Sequence, residues 1–479
     1  MQNTGEFETM NEIIFHIIHD KDTKRKIKIL KILNEKQEFI SSDTIAQMLD
    51  CSNKTILNDI NQLKEELPKD WVITSVKSKG HKILNQSRNK LVLPIASYLK
   101  KSVIYQVILG IYQNKHYTLE KWSQILYINK QPLKIILSKF NNFIKCGGVR
   151  INLNYLKLEG DEINIRHFYI GFFYMTQKYI DNIQIPHTLI KEVLQDLSEK
   201  KLEVDFNLLN ILIAVYITRQ FSKKYIDQII NLQEILKQID LKYFYNSVSI
   251  IENYYRHKFL EIEKRVFALS LFMISKENPF QLSSHKIMKN IRCQTLYQTI
   301  IEENHLDGKS NENLFLDFKH RFNKIEVLSY FSLPIQFFVN TDKVFDDRFQ
   351  LFQKNYELVS LWNETYNQKK FTMHELRYLT SSILLHFNFK PFKLNGLFLF
   401  SGTVVEENMV YLKMLNNLGE WIYLDKKSIS NKKYDFIITN YPLTNIALPT
   451  FYISNDCEKG DINKIKKEVK QYIDLITGV

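Results

Sequence analysis

Apolar residues recur at helical spacing over most of this chain and alternate at strand spacing in only a few places. The first clear stretch is Lys24 to Asn34. Ile29, Leu30 and Leu33 form one stripe and lysines fill the rest, so an amphipathic helix is predicted. Phe39-Ile40 follows as a short apolar link. Ser41 or Ser42 then offers an N-cap, and Asp43 complements the helix dipole. Thr44 to Leu49 predicts a short helix with Ile45, Ala46 and Leu49 on one face. After the polar break Asp50–Asn53, Ile56, Ile60, Leu63 and Leu67 predict a longer helix that Pro68 closes. A short helix, a tight turn and a longer amphipathic helix are a helix-turn-helix. Trp71–Val76, a Lys77–His81 turn and Lys82–Leu84 add a basic-tipped hairpin, which makes a winged helix.

The same order returns at residues 115–170. Thr118 to Leu126 predicts the short helix and Tyr127-Ile128-Asn129 the turn. Lys130 to Ile144 predicts the long helix, with Leu133, Ile136, Leu137, Phe140 and Ile144 inward and Pro132 in the first turn. Val149–Asn154 alternates and pairs with Tyr155–Gly160 as a second wing.

Residues 171–390 read as helices. Leu208–Arg219 and Ile262–Met273 are matched about a hundred residues on by Leu314–Phe322 and His374–Phe387, a weak duplication of one helical unit. From 391 the period changes. Strands Leu394–Phe400, Trp421–Leu424, Tyr434–Thr439 and Thr450–Ser454 alternate with helices Val404–Leu418 and Asp461–Ile476, predicting a small α/β domain with a parallel sheet.

Charge sharpens the picture. The 479 residues carry 65 Lys+Arg against 52 Asp+Glu, a net +13. Residues 91–170 hold 11 Lys+Arg and 4 Asp+Glu, whereas residues 1–90 hold 15 and 13. A basic surface gathers and steers polyanions, so double-stranded DNA is the expected partner. On the second helix of the first module the outward face is expected to carry Lys54, Thr55, Asn58, Asp59 and Gln62. Ser52 lies at its start, and Lys77 and Lys79 at the wing tip. Asn and Gln can pair bidentately with adenine, and Lys serves guanine or phosphate. In the second module Lys130, Gln131, Lys134, Ser138 and Lys139 are the expected contacts. The charge split suggests that the second module holds the DNA backbone while the first reads more of the sequence.

Other chemistry is thinly represented. Cys51, Cys146, Cys293 and Cys457 form no CxxC pair, so no zinc ribbon or metal site is expected. No P-loop, HExxH or GxSxG motif occurs, so no cofactor or enzymatic activity is expected. No run of 18 apolar residues exists and the N-terminus lacks an apolar signal core. A reduced, cytoplasmic protein with no membrane partner is expected.

The tandem winged helices, with the second ending in Leu156-Lys157-Leu158-Glu159-Gly160-Asp161-Glu162-Ile163-Asn164-Ile165-Arg166, resemble the Mga/AtxA group of bacterial regulators. The resemblance spans the chain and is strongest over residues 20–170. It implies a mainly α, multidomain protein: winged helix-turn-helix domains at 1–90 and 91–170, two helical phosphotransferase regulation domains (PRDs) at 171–288 and 289–390, and an α/β domain similar to a sugar-phosphotransferase EIIB protein at 391–479. It further implies a DNA-binding transcriptional regulator, homodimeric through its C-terminal domain, with histidines that accept phosphate from a phosphotransferase-system phosphocarrier protein. His386 resembles a PRD regulatory histidine and His320 is a looser candidate, as is His374. The first unit departs from the pattern, with Asn210 and Ile211 where a histidine is usual and only His187 and His257 as substitutes. The EIIB loop that carries a phosphorylated Cys is here Phe400-Ser401-Gly402-Thr403, without a thiol. A phosphotransferase-system component and a PRD-type RNA-binding antiterminator are the alternative readings.

Overall fold

The computed structural model describes residues 12–477 except 37, 69–70, 86–91, 178–179, 181–184, 228–240, 277–290, 305–311, 340, 342–348, 368–370, 387–393, 419–421, 430–431, 444–447 and 455–456. The expected boundaries at 90, 288 and 390 lie outside these residues. The chain divides into two units, Met1–Asp347 with Asn355–Ser382, and Arg348–Lys354 with Ile383–Val479.

The first unit begins with α1 (Glu12–Ile17) and α2 (Lys21–Lys36). Next come α3 (Ser42–Met48), α4 (Asn53–Glu66) and the antiparallel hairpin β1 (Trp71–Val76)–β2 (Gly80–Asn85). Ile29, Leu30, Leu33, Ile45, Ile60 and Trp71 belong to a core that serves this module alone. The link at Ile40 does more than connect. It pairs with His81 through hydrogen bonds of 2.9 and 2.8 Å, adding a third strand position to the wing. Gly80 permits this, because at φ +101° a Cβ would stand 2.1 Å from the Ile40 carbonyl oxygen.

The second module comprises α5 (Val92–Lys101), α6 (Val103–Tyr112), α7 (Leu119–Ile125), α8 (Lys130–Ile144) and the hairpin β3 (Arg150–Asn152)–β4 (Lys157–Glu159). Its core is shared. Leu133, Leu137, Phe140 and Ile144 of α8 sit in one cluster with Ile13 and Ile17 of α1 and with the helices that follow. Helix α1 therefore packs against the second module, where the Ser102 hydroxyl donates to the Ile17 carbonyl at 2.6 Å and His16 stacks on Phe143 at 4.0 Å.

Helix α9 (Glu162–Gln177) leaves the second wing and runs through residue 170 into the helical middle. There α11 (Phe206–Phe221) packs along it, and α10 (His187–Glu199), α12 (Lys242–Tyr255) and α13 (Glu261–Ile274) complete the bundle, α10 against α12 and α13 against α11 and α12. A buried ion network joins three of these helices. Arg166 on α9 meets Glu263 on α13 at 2.6 Å and Glu162 at 3.0 Å, and Arg219 on α11 meets Glu162 at 2.6 Å. Its members can lie so deep because each charge faces an opposite one. The second helical set is α14 (Ile291–Glu303), α15 (Glu312–Tyr330), α16 (Phe349–Thr365) and α17 (Met373–His386). After α15, Phe331–Phe338 lies against the second module. Asn164 donates to the Gly147 and Phe331 carbonyls at 2.8 and 3.1 Å, and a Cβ on Gly171 would meet that of Phe337 at 2.9 Å.

In the second unit β5 (Leu394–Leu399), β6 (Ile422–Asp425), β7 (Phe436–Thr439) and β8 (Thr450–Tyr452) form a four-stranded, wholly parallel sheet in the order β6-β5-β7-β8. Parallel neighbours need crossovers, and α18 (Val404–Leu418) supplies the first. Val410 and Met414 of α18 share the core with Ile465 and Val469 of α19 (Lys459–Thr477).

Candidate nucleic-acid interface

The two helix-turn-helix units repeat the same backbone hydrogen bonds through their turns. In the first turn the Leu49 N–H donates to Ile45 O and the Cys51 N–H to Ala46 O, both at 3.0 Å. In the second, Leu126 donates to Trp122 at 2.9 Å and Ile128 to Ser123 at 3.1 Å. Asp50 and Tyr127 take the same left-handed backbone, at φ 49° and 52°. The N-caps of α3 and α7 are Ser41 and Thr118, and those of α4 and α8 are Ser52 and Asn129. Each pair is separated by 77 positions, the difference between 129 and 52. Superposed this way, Lys54 corresponds to Gln131, Asn58 to Ile135 and Gln62 to Lys139.

On α4, Lys54, Asn58 and Gln62 are exposed and lie four residues apart, so they line one stripe. Ser52 and Thr55 are committed to the helix start. The Ser52 hydroxyl accepts from the Thr55 N–H at 3.1 Å and bonds its hydroxyl at 2.8 Å. Leu57 and Asn61 are exposed beside that stripe and complete a face that periodicity alone left unassigned. Asp59 corrects the expectation of an outward position. It is 3% exposed and turned toward α2, where Arg25 donates to its two oxygens, the Nη2 bond being 3.0 Å. The carboxylate thus locks α4 onto the scaffold rather than repelling phosphate.

Lys77 and Lys79 are exposed at the wing tip, which closes with the Lys79 N–H on the Val76 carbonyl at 3.1 Å. The wing is braced from beneath. Lys64 on α4 donates to Ser75 at 2.8 Å, and Ser75 meets His81 Nδ1 at 2.7 Å. Burial, and then Lys64, push the His81 pKa down, so the ring is neutral at physiological pH.

On α8, Lys130, Gln131, Lys134, Ser138 and Lys139 are all exposed, with Ile135 among them at 52%. Lys130 is engaged with Glu120 of α7. Of the eleven basic residues between 91 and 170, ten are exposed and only Arg166 is buried, so this excess lies on the surface. The second wing is less basic than its sequence reads, because Glu159 takes Arg150 at 3.0 Å, Asn152 at 2.7 Å and Lys157 at 3.9 Å. Hydrogen bonds from Asn152 and Arg150 hold the Glu159 pKa below the usual carboxylate range.

The proposed phosphate acceptors lie elsewhere. His320 is 2% exposed on α15, edge-on to Phe272 at 4.9 Å. A carrier protein reaches such a ring only if the packing opens. Burial, with Lys324 adding to it, pushes its pKa down to about 2. His374 meets the Thr341 hydroxyl at 2.7 Å. His386 ends α17, and its side chain lies outside the described residues. In the C-terminal loop, Ser401 and Asn440 exchange hydrogen bonds of 2.8 Å, which ties the end of β5 to that of β7. Among the described residues no group of three His, Cys, Asp or Glu side chains could hold a metal, and no helix is long and apolar enough to cross a membrane.

Fold and faces together define a mainly helical protein with two N-terminal helix-turn-helix domains. Residues 25–82 match a helix-turn-helix domain, and residues 86–173 match the Mga helix-turn-helix domain. The chain is 30% identical over 157 residues to the capsule synthesis positive regulator AcpB of Bacillus anthracis, covering 32% of each protein. It is 28% identical over 194 residues to that organism's capsule synthesis positive regulator AcpA, covering 39% of each. These matches thus span little more than a third of either relative. The anthrax toxin expression trans-acting positive regulator of Bacillus anthracis aligns over 477 residues at 23% identity, covering 94% of this chain and 98% of the relative. Residues 86–173 thus carry an Mga-type helix-turn-helix domain, and the chain is similar along its length to regulators of the Mga/AtxA group.

Proposed function

We propose that this protein regulates transcription by binding double-stranded promoter DNA through both winged modules. The observation that carries this reading is the repeated turn, which presents two polar, lysine-bearing helix faces from equivalent scaffolds. The N-terminal half of such a helix enters a major groove. Lys54, Asn58 and Gln62 then read bases, while Lys77, Lys79, Lys134 and Lys139 engage phosphates or groove edges. Charge favours α8 as the stronger backbone contact. Activation is the favoured direction, because AcpA, AcpB and the anthrax toxin expression regulator are positive regulators.

The test is footprinting of the purified protein on its own genomic DNA, followed by titrations in a salt series. Lys54→Ala weakens binding and relaxes specificity at the base it reads, whereas Lys134→Ala weakens binding on every sequence and reduces the slope of log K against log salt by about one phosphate contact. Unchanged affinity and slope in both variants remove these helices from the interface.

The finer parts of the reading are the middle and C-terminal domains. The helical middle supports two PRD-like domains, and the parallel β6-β5-β7-β8 sheet supports an EIIB-like one. With His320 enclosed, His386 is the favoured acceptor for a phosphocarrier. Phosphate there adds charge that resets helix packing. Dimerisation through the C-terminal domain is supported by Val405, Met409 and Leu412 of α18, exposed at 68%, 67% and 56% along one helical stripe. Met409→Asp shifts the mass measured by light scattering toward monomer. An unchanged mass places the interface elsewhere.

A further inference from the structure

Ile135 is an apolar residue on the outward face of α8. It is 52% exposed, while Leu133 and Leu137, two positions away on either side, are fully buried. Two residues turn a helix by about 200°, so Ile135 points away from the core that anchors α8. Its neighbours on that helix face are polar. Gln131 and Lys139 lie about one turn before and after it, with Lys134 and Ser138 beside it, and all four are exposed.

A single exposed apolar side chain is ordinary on a protein surface. The repeat of the two turn units gives this one its place. Counted from the N-caps Ser52 and Asn129, Asn58 and Ile135 are both the sixth residue of their helices. That position falls in the N-terminal half, the part of such a helix that meets base edges in the major groove. At equivalent points the first module presents an amide and the second a branched hydrocarbon.

The chemistry of the groove says what that hydrocarbon can meet. Each base pair offers donors and acceptors along the major-groove edge, and thymine adds an apolar group, its 5-methyl. A donor or acceptor set against Ile135 would lose water without gaining a partner. A methyl group loses nothing by the same contact and gains from its burial. Lys134 and Lys139 close by fit a polyanion around the contact rather than an apolar protein surface. Isoleucine is also stiff at χ1 in a helix, so docking it freezes little. We propose that Ile135 reads the 5-methyl group of a thymine in the major groove. The second module then selects sequence as well as holding the DNA backbone. This inference rests on the DNA-binding reading and adds the base that one side chain selects.

The experiment uses the full chain and the fragment found by footprinting. Each thymine of the protected segment is replaced in turn by uracil, which removes the 5-methyl group and leaves the hydrogen-bonding edge intact. Fluorescence anisotropy gives Kd for the parent and for Ile135→Ala. At one or more thymines the parent loses about fourfold in affinity, the worth of one buried methyl. Ile135→Ala loses at least as much on thymine DNA and no longer distinguishes thymine from uracil at that position. Its thermal midpoint stays at the parent value, because the site is exposed. Parent affinity in Ile135→Ala, no thymine at which uracil weakens the parent, or a thymine preference that Ile135→Ala keeps at every position overturns the proposal and leaves DNA binding standing. A chain that protects no genomic fragment overturns the DNA-binding reading, and the proposal falls with it.

Discussion

Glu263→Ala probes the ion network that joins the second winged module to the helical middle. Glu263 is fully buried. Its oxygens accept from two nitrogens of Arg166, at 2.6 and 3.1 Å, and from the Ile226 N–H at 2.6 Å. The truncation leaves a guanidinium that is 1% exposed facing Glu162, the Lys224 carbonyl and the Tyr216 ring 4.6 Å away, with the Ile226 amide unsatisfied. Breaking a buried pair in this way costs about 3–5 kcal/mol, and an orphaned amide alone costs about 1–3. Because Glu162 stays and water can enter the vacated space, the lower value of about 3 kcal/mol is expected. In so large a unit each kcal/mol moves the midpoint by about 2 °C, so Tm falls by roughly 6 °C. Circular dichroism melts and guanidinium midpoints of the full chain measure it. The paired replacement Arg166→Met with Glu263→Met removes both charges together and recovers most of the loss. A single variant within about 1 kcal/mol of the parent, or a double variant worse than the single, refutes the assignment of this network as a structural clamp.

Further outcomes follow from the same geometry. His320 titrates near 6.5 when unfolded and near 2 when folded. Stability is therefore fully present above pH 6.5. It falls by about 1.4 kcal/mol per pH unit below that, as only the unfolded chain takes up the proton. His320→Phe flattens this fall between pH 6.5 and 4, and urea midpoints that decline in parallel for both proteins contradict it. Gly80→Ala forces a left-handed backbone on a residue with a Cβ against Ile40, costing more than about 1 kcal/mol and speeding hydrogen exchange at the Ile40 and His81 amides. Unaltered exchange would falsify the role given to that bridge. Promoter output is expected to differ between His386→Asp and His386→Ala, and identical output counts against a phosphate switch there.

The local grammar of the chain fixed the helices of both turn units and most of its strands, whereas α1, α5 and α6 emerge only in the structure. Caps such as Ser41 and Thr118, Pro68, and the three-and-four spacing of Ile56, Ile60 and Leu63 act within a few residues, so they are legible without the rest of the molecule. The same holds for the short strands of the C-terminal sheet and for the lysine-bearing faces of α4 and α8. Partnership was not legible. Asp59 shares the polar side of its helix pattern with Asn58 and Gln62, yet Arg25, 34 positions away, turns it into a buried anchor. Glu162 and Arg166, the distinctive end of the second wing motif, serve a clamp completed by Arg219 and Glu263 from later helices. His320 sits on a helix that periodicity finds, but only the packing of Phe272 against it encloses the ring. Helix and turn formation is decided by neighbouring residues. Burial, ion pairing and cavities are decided by residues that meet only after the chain has folded, and those contacts set which polar groups remain available to a ligand.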